Sequence, residues 1–350
     1  MDHRQVALEQ WAIARIHQIE EQSITAKMLP VSGDASFRRY FRLCYLNRSW
    51  IAVDAPADKE DNPKFINIAK AWYQQGVPVP KVIAQDYLQG FMLLEDFGST
   101  LLWEPLHAED VSPQQVNGLY QQALDQLLEI QALPRASLPA YDEPLLMQEM
   151  RLFTDWLCEK LLKISLDEAT QKMFADCFQL LSQQALKQRQ VTVHRDYHSR
   201  NLMVLEDNSL GVIDFQDAVF GPVTYDVVSL LRDCYVRWPE QKVQELMAYY
   251  WEKARPLGLY LKDWTCFQKD FDWMGMQRHL KAAGIFARLY LRDGKDGYLN
   301  DIPNTCQYIL EVSAKYEELA ELNAWLVKHL VPKLSELPEA RPQNMSKKPK

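Results

Sequence analysis

The stretch VTVHRDYHSRNLMV, Val191 to Val204, sets Asp196 and Asn201 between apolar, β-branched runs, and GVIDFQD follows with Asp214 closing a second apolar run. A carboxylate, an amide five residues on and a second carboxylate on a neighbouring strand suit phosphoryl transfer from ATP. The attacking hydroxyl must be held in line and lose a proton, so a carboxylate stands beside it. The phosphates must be neutralised by Mg2+, which takes hard oxygen ligands such as an Asn amide and an Asp. Asp196 is therefore expected as the base on a tight loop spanning 194–200, and Asn201 and Asp214 as metal ligands converging from adjacent strands. His194 is expected to brace that loop.

The rest of the chain must then supply a nucleotide site and an acceptor site. Its 350 residues exceed one small core, so one large domain or two lobes is expected. Residues 4–20 carry an amphipathic helical pattern. Strand-like runs follow at Thr25–Leu29, Phe37–Tyr45 and Trp50–Val53, and the first two are separated by the turn-forming cluster Ser32–Ser36. A helix from Pro63 to Gln75 and strands near 81–86 and 90–95 complete a five-stranded antiparallel sheet with one helix inserted after its third strand. Beyond Gly98, helices are expected at 113–132, 143–163, 167–188, 224–236, 239–255, 264–292 and 304–330, with short strands at 191–193, 202–205 and 211–213. The fold class is α+β: a sheet lobe over 1–97, a helical lobe over 98–336 and a disordered tail over 337–350, where prolines and charge replace apolar periodicity.

Net charge is −8, which argues against a general nucleic-acid binder. The six cysteines form no C-x-x-C pair and sit mostly in apolar helical patterns, as reduced core thiols. The N-terminus has no apolar signal-peptide core, and no uninterrupted apolar run reaches membrane-span length. A cytoplasmic protein is expected, with neither nucleic acid nor membrane as partner; its oligomeric state is left open.

Arg195 before Asp196 gives the kinase H-R-D order, but Asp214-Phe215-Gln216 lacks the glycine of D-F-G, and the A-P-E segment is absent. At these residues the chain resembles the aminoglycoside phosphotransferase and choline kinase superfamily, of protein-kinase-like fold. Further segments, GDASFRRYFR (33–42), VDAP (53–56), VPVPKV (77–82) and GIFARLYLRDGK (284–295), look like the bacterial anomeric kinases of N-acetylmuramate and N-acetylglucosamine. That likeness implies ATP and Mg2+ as cofactors, and transfer to a small amino sugar at C1 in peptidoglycan recycling, upstream of a sugar-1-phosphate uridylyltransferase. It also implies adenine against a hinge near LLEDFG, bound by backbone at Glu95–Phe97. Asp226, after GPVTY, resembles the superfamily's helix-start aspartate and is expected to brace the catalytic loop.

One departure stands out. Where the kinase pattern has V-A-I-K, the chain reads IAVDAP, and the helix at 63–75 holds no acidic partner. Another cation must serve the phosphates. Arg38, Arg39 and Arg42 follow the loop whose Ser32, Gly33 and Ser36 are expected to cradle phosphate. Strand alternation sets Arg38 and Arg42 on one face and Arg39 on the other, and the sequence leaves open which face meets ATP. For the acceptor, candidates are His198, Gln216, Asp217, Arg278 and Arg288. Arginines there would suit the lactyl carboxylate of N-acetylmuramate. Trp273, Phe286 and Tyr290 leave a choline-type aromatic cage open. The competing readings are an aminoglycoside, choline or homoserine kinase, or a nucleotide-binding pseudokinase scaffold.

Overall fold

The computed structural model describes residues 2–20, 26–31, 37–135 and 137–337. The expected phosphate loop with Ser32, Gly33 and Ser36, the start of the first expected strand at Thr25 and the tail from 338 onward lie outside the described residues. In chain order the elements are α1 (His3–Glu20), β1 (Lys27–Pro30), β2 (Arg39–Tyr45), β3 (Arg48–Asp54), α2 (Asn62–Gln74), β4 (Val82–Asp86), β5 (Phe91–Glu95), the single turn α3 (Trp103–Leu106), α4 (Pro113–Ala132), α5 (Glu143–Leu152), a π-helical continuation Phe153–Leu161 and α6 (Glu168–Leu186). Then follow β6 (Gln190–Val193), β7 (Leu202–Val204), β8 (Leu210–Val212), β9 (Val219–Pro222), α7 (Tyr225–Leu231), α8 (Glu240–Ala254), α9 (Trp264–Asp293), α10 (Ile302–Ser313), α11 (Ala320–Trp325) and α12 (Val331–Leu334).

The chain forms two compact units: Met1–Val111 with Arg200–Asp217, and Ser112–Ser199 with Ala218–Lys350. This differs from a boundary at 97/98. The β7–β8 hairpin groups with the first unit because Leu102 N donates to Leu202 O (2.8 Å), Val204 N to Thr100 O (2.8 Å) and Val212 N to Pro78 O (2.8 Å).

In the first unit the five-stranded antiparallel sheet runs β1-β2-β3-β5-β4, with α2 inserted after β3 as the sequence pattern implies. Period-2 alternation puts Phe41 and Leu43 of β2 with Trp50 and Ala52 of β3 and Phe91 and Leu93 of β5 on one face. That face packs against Leu8, Trp11, Ala12 and Ile16 of α1. α2 starts at Asp61, whose carboxylate accepts from Lys64 N (3.0 Å), and has Pro63 in its first turn.

The second unit is a helical assembly around α9. Asp263 caps the start of that helix, accepting from Cys266 N (2.8 Å), and Gly294 ends it in the left-handed region at φ 66°. Trp273, Phe286 and most cysteines join its apolar core, although Cys266 is exposed. Three expected helices come out differently. The run 143–163 changes to π-helix at Phe153. The run 224–236 stops at Leu231. The run 304–330 breaks after Ser313, where Asn323 Nδ2 donates to Leu310 O (3.2 Å) and Ser313 Oγ (2.8 Å) and so satisfies the helix end from further along the chain. The strand β9 was not expected; it pairs antiparallel with β6.

Gly284 is fixed by close approach. A Cβ there would lie 2.2 Å from the Leu152 carbonyl carbon, at the point where α5 turns π-helical. Gly284→Ala should therefore destabilise by about 3 kcal/mol, lowering Tm by at least about 5 °C. Gly118→Ala in α4, where a Cβ meets nothing within 4 Å, should be neutral or stabilising. Thermal unfolding of both variants checks the pair; equal melting would contradict the packing assigned to Gly284.

Candidate active site

In the second unit, β6 buries Val191 and ends at buried Val193, and the Asp196 loop departs from His194, the next residue. Two carboxylates hold the loop's backbone. Asp226, in the first turn of α7, accepts from His194 N (2.7 Å) and Arg195 N (3.0 Å). Asp233 accepts from Ser199 N (3.0 Å) and Ser199 Oγ (2.5 Å). α7 ends at Leu231, which leaves Asp233 outside the helix and able to turn to Ser199. Asp196 N donates to His194 Nδ1 (3.2 Å), so the imidazole acts as acceptor and braces the loop as expected.

Arg195 has φ 77°, a conformation that costs a non-glycine residue on the order of 1 kcal/mol and persists only where its surroundings enforce it. Here they do. Its guanidinium pairs with buried Glu149 and lies over the Tyr141 ring (5.5 Å). Glu149 also accepts from the Tyr141 hydroxyl and lies 3.3 Å from Lys281 Nζ, which donates to the Tyr225 hydroxyl (3.1 Å).

This cluster acts on Asp196. Burial pushes the Asp196 carboxyl upward, but the electrostatic pull of Lys281, His198 and Arg195 outweighs it and holds the group below its usual range. Asp196 is thus a carboxylate at neutral pH. Asp226 is the opposite case: burial pushes it up to about 7, against the pull of the two N–H groups it accepts.

In the first unit, β7 and β8 pair Leu202 with Val212, and Ile213 N donates to Asn201 O (3.1 Å), extending the ladder to the ends of both strands. Asn201 Nδ2 therefore meets Asp214 Oδ2 at 3.3 Å. Asp214 sits at φ 65°, and its other oxygen accepts from Gln216 Nε2 (2.6 Å). Phe215 packs into α2 against Phe65 (5.1 Å between centroids) and Trp72 (5.8 Å). The donor set fits a Mg2+ ion: an amide that can turn its Oδ1 inward and a carboxylate, with phosphate oxygens to complete a shell that protein rarely supplies alone. Among the described residues no three His, Cys, Asp or Glu side chains gather as a metal cage.

The expected phosphate arginines separate by face. Arg39 pairs with Asp54 and Asp2 on the α1 side. Asp54, buried where the lysine is missing, also binds Arg4 of α1. Arg42 forks onto Asp96 (2.6 and 3.0 Å) and the Gly98 carbonyl (2.6 Å), bracing the segment after β5. Arg38 faces α2, away from Arg39, and is paired with Glu60 at 2.8 Å. At the end of β5, Glu95 N donates to Lys81 O (3.0 Å), and the Phe97 ring covers Gly211, where a Cβ would lie 2.5 Å from it.

Of the acceptor candidates, Gln216 and Asp217 belong to the first unit and His198, Arg278 and Arg288 to the second. Gln216 is turned to Asp214, and Asp217 lies 3.6 Å from Lys64 Nζ. His198 stands edge-on to Tyr235 (5.2 Å). Arg278 is buried, with Nη1 at 3.5 Å from the Cys234 sulfur, while Arg288 is half-buried. Trp273 and Phe286 are buried in the helical core with Tyr290 packed against it, which removes the aromatic cage as an option. Sequence reasoning missed Glu149 and Asp233, single acids inside apolar helical patterns. It also missed Glu60, which stands just ahead of α2 rather than in it.

Asp226→Asn puts an amide N–H donor beside two backbone donors. The expected result is a kcat fall of about 100-fold from misplacement of Asp196, with Mg·ATP affinity kept within about threefold by calorimetry. A kcat within twofold of the parent would contradict the anchoring role.

Comparison with known proteins agrees with this geometry. Residues 27–259 match the APH phosphotransferase enzyme family. The chain is 44% identical over 303 residues to the N-acetylmuramate/N-acetylglucosamine kinase of Pseudomonas aeruginosa, covering 86% of this chain and 88% of that one. It is 39% identical over 327 residues to the protein of the same name from Neisseria meningitidis serogroup B, covering 93% and 95%. Among solved structures, it superposes on choline kinase LicA from Streptococcus pneumoniae with a TM-score of 0.60 at 12% identity, covering 89% of this chain and all of that one. ADP-bound aminoglycoside phosphotransferase APH(2'')-Ib gives 0.55 at 16% identity, covering 85% and 97%. The α+β kinase-like fold is thereby established, and the chain belongs to the APH family of phosphotransferase enzymes.

Proposed function

We propose that this chain transfers the γ-phosphoryl group of ATP to the anomeric C1 hydroxyl of N-acetylmuramate or N-acetylglucosamine. The observation that carries the reading is Asp196: an ionised carboxylate on a loop pinned at its backbone by Asp226 and Asp233. Relatives at 39% and 44% identity that bear the name of this kinase support the acceptor.

Asp196 accepts the hydroxyl proton as the new O–P bond forms and the bond to the ADP oxygen breaks. An anomeric hydroxyl is more acidic than an ordinary alcohol, so a weakly basic carboxylate suffices, and positioning and charge neutralisation supply most of the acceleration. Asn201 and Asp214 would hold Mg2+, which when bound neutralises phosphate charge. Gln216 steadies Asp214 through its hydrogen bond. Ser32, Gly33 and Ser36 would donate to phosphate oxygens, and backbone at Glu95–Phe97 would receive adenine. Arg42 serves this site indirectly, by bracing that hinge.

The acceptor contacts fall to residues around Asp196: His198, next but one along the loop, and the cationic side of α9 that carries Arg278, Lys281 and Arg288. Gln216 and Asp217 complete the candidate set. A sugar 1-phosphate is a substrate for nucleotidyl transfer, so a uridylyltransferase would follow in peptidoglycan recycling, inside the cytoplasm where ATP is supplied. No helix among the described residues is long and apolar enough to cross a membrane.

Asp196→Asn should lower kcat by at least about 1000-fold, within the range for a general base, while Mg·ATP affinity changes little; a variant retaining turnover would exclude Asp196 as base. Asp214→Ala should weaken Mg2+-dependent nucleotide binding at least about tenfold, the loss of a charge-assisted ligand. Unchanged Mg·ATP affinity in that variant, read by calorimetry with and without Mg2+, would exclude the metal role.

A further inference from the structure

The strand-3 lysine of kinases has no counterpart in β3, and the surroundings of the three candidate arginines differ enough to choose among them. Arg39 projects to the α1 face, where Asp54 and Asp2 hold it. Arg42 is committed as a fork to Asp96 and to the Gly98 carbonyl. Arg38 is 5% exposed and faces α2, on the side of the sheet opposite α1. Its guanidinium carbon stands 5.4 Å over the Phe65 ring. Phe65 in turn contacts Phe215 at 5.1 Å, the residue that follows Asp214. Arg38 therefore joins the layer of Phe65 and Phe215, and Phe215 is the next residue after Asp214.

Glu60 fixes that arginine. Its Oε2 lies 2.8 Å from Arg38 Nη2, and its Oε1 accepts from Phe37 N (3.1 Å). One carboxylate thus positions both the side chain of Arg38 and the backbone that leads into it. Glu60 stands immediately before Asp61, the residue that caps α2, so the pair ties β2 to the helix start. A guanidinium fork can serve a carboxylate and a phosphate together, as a lysine ammonium does less well.

We propose that Arg38, held by Glu60, is the cation that anchors the α- and β-phosphates of the nucleotide, and that this pair replaces the missing lysine–glutamate pair. The proposal rests on the phosphoryl-transfer reading above. Arg38 contributes substrate affinity, and Glu60 is a positioning residue that acts through it.

Calorimetry with Mg·ATP and with adenosine, which lacks phosphates, tests this on the full chain. Wild type should bind both. Arg38→Met should weaken Mg·ATP about 10- to 100-fold, the loss of charge-assisted hydrogen bonds, and leave adenosine within twofold. Arg38→Lys should recover part of the loss. Glu60→Gln should raise the ATP KM while kcat at saturation changes less than about threefold. The double variant Arg38→Met/Glu60→Gln removes charge and counter-charge together, avoids an uncompensated carboxylate and should repeat the ATP-selective loss. Mg·ATP affinity within twofold of wild type in either Met variant would overturn the proposal, as would equal loss of ATP and adenosine. Wild type that fails to bind Mg·ATP would overturn the phosphoryl-transfer reading itself.

Discussion

The Asp226 carboxylate is fully buried, and the two N–H groups it accepts belong to the residues directly before Asp196. A buried carboxylate is costly unless it is hydrogen-bonded, and a left-handed arginine is costly unless it is enforced. At Arg195 the two conditions meet. Its N–H satisfies Asp226, its side chain satisfies Glu149, and the strained backbone aims the next residue. Lys281 then balances the charge of Glu149 and holds the Asp196 carboxyl below its usual range. These groups share partners, so the loop that carries Asp196 is held from several sides at once.

The metal side follows a different physical logic. Asn201 and Asp214 close the β7–β8 ladder, so backbone register alone brings their side chains to 3.3 Å. Phe215 then buries into α2, and through Phe65 the same helix carries Arg38. A chain that lacks the strand-3 lysine thus has an arginine, just before β2 and paired with an acid outside the helix, packed over the ring that meets Phe215.

Much of this was legible. The positions of Asp196, Asn201 and Asp214 were legible because short apolar strands on either side of the H-x-D-x-x-x-x-N spacing and before the later Asp show where they sit. The five-stranded sheet was legible from alternation and turn residues, and α4 from its amphipathic pattern. What escaped depended on distant partners. The break after Ser313 has no glycine or proline to mark it, because Asn323 satisfies the open carbonyl. The early end of α7 is visible only once Asp233 is seen turned to Ser199. The π-helical turn after Leu152 faces Gly284, far along the chain. Glu60 lies ahead of the helix at 63–75, outside the element where the kinase pattern carries its acid. The aromatics of α9 look like a cage in sequence and are core in the fold, since spacing alone does not separate the two.

The most direct test is phosphorus NMR of the purified protein with ATP, Mg2+ and N-acetylmuramate or N-acetylglucosamine. The account predicts ADP together with a sugar phosphate whose phosphorus couples to the anomeric proton, marking transfer to C1. A phosphate at another hydroxyl would contradict the proposed position of transfer. ATP left intact with both sugars would contradict the assigned acceptor class.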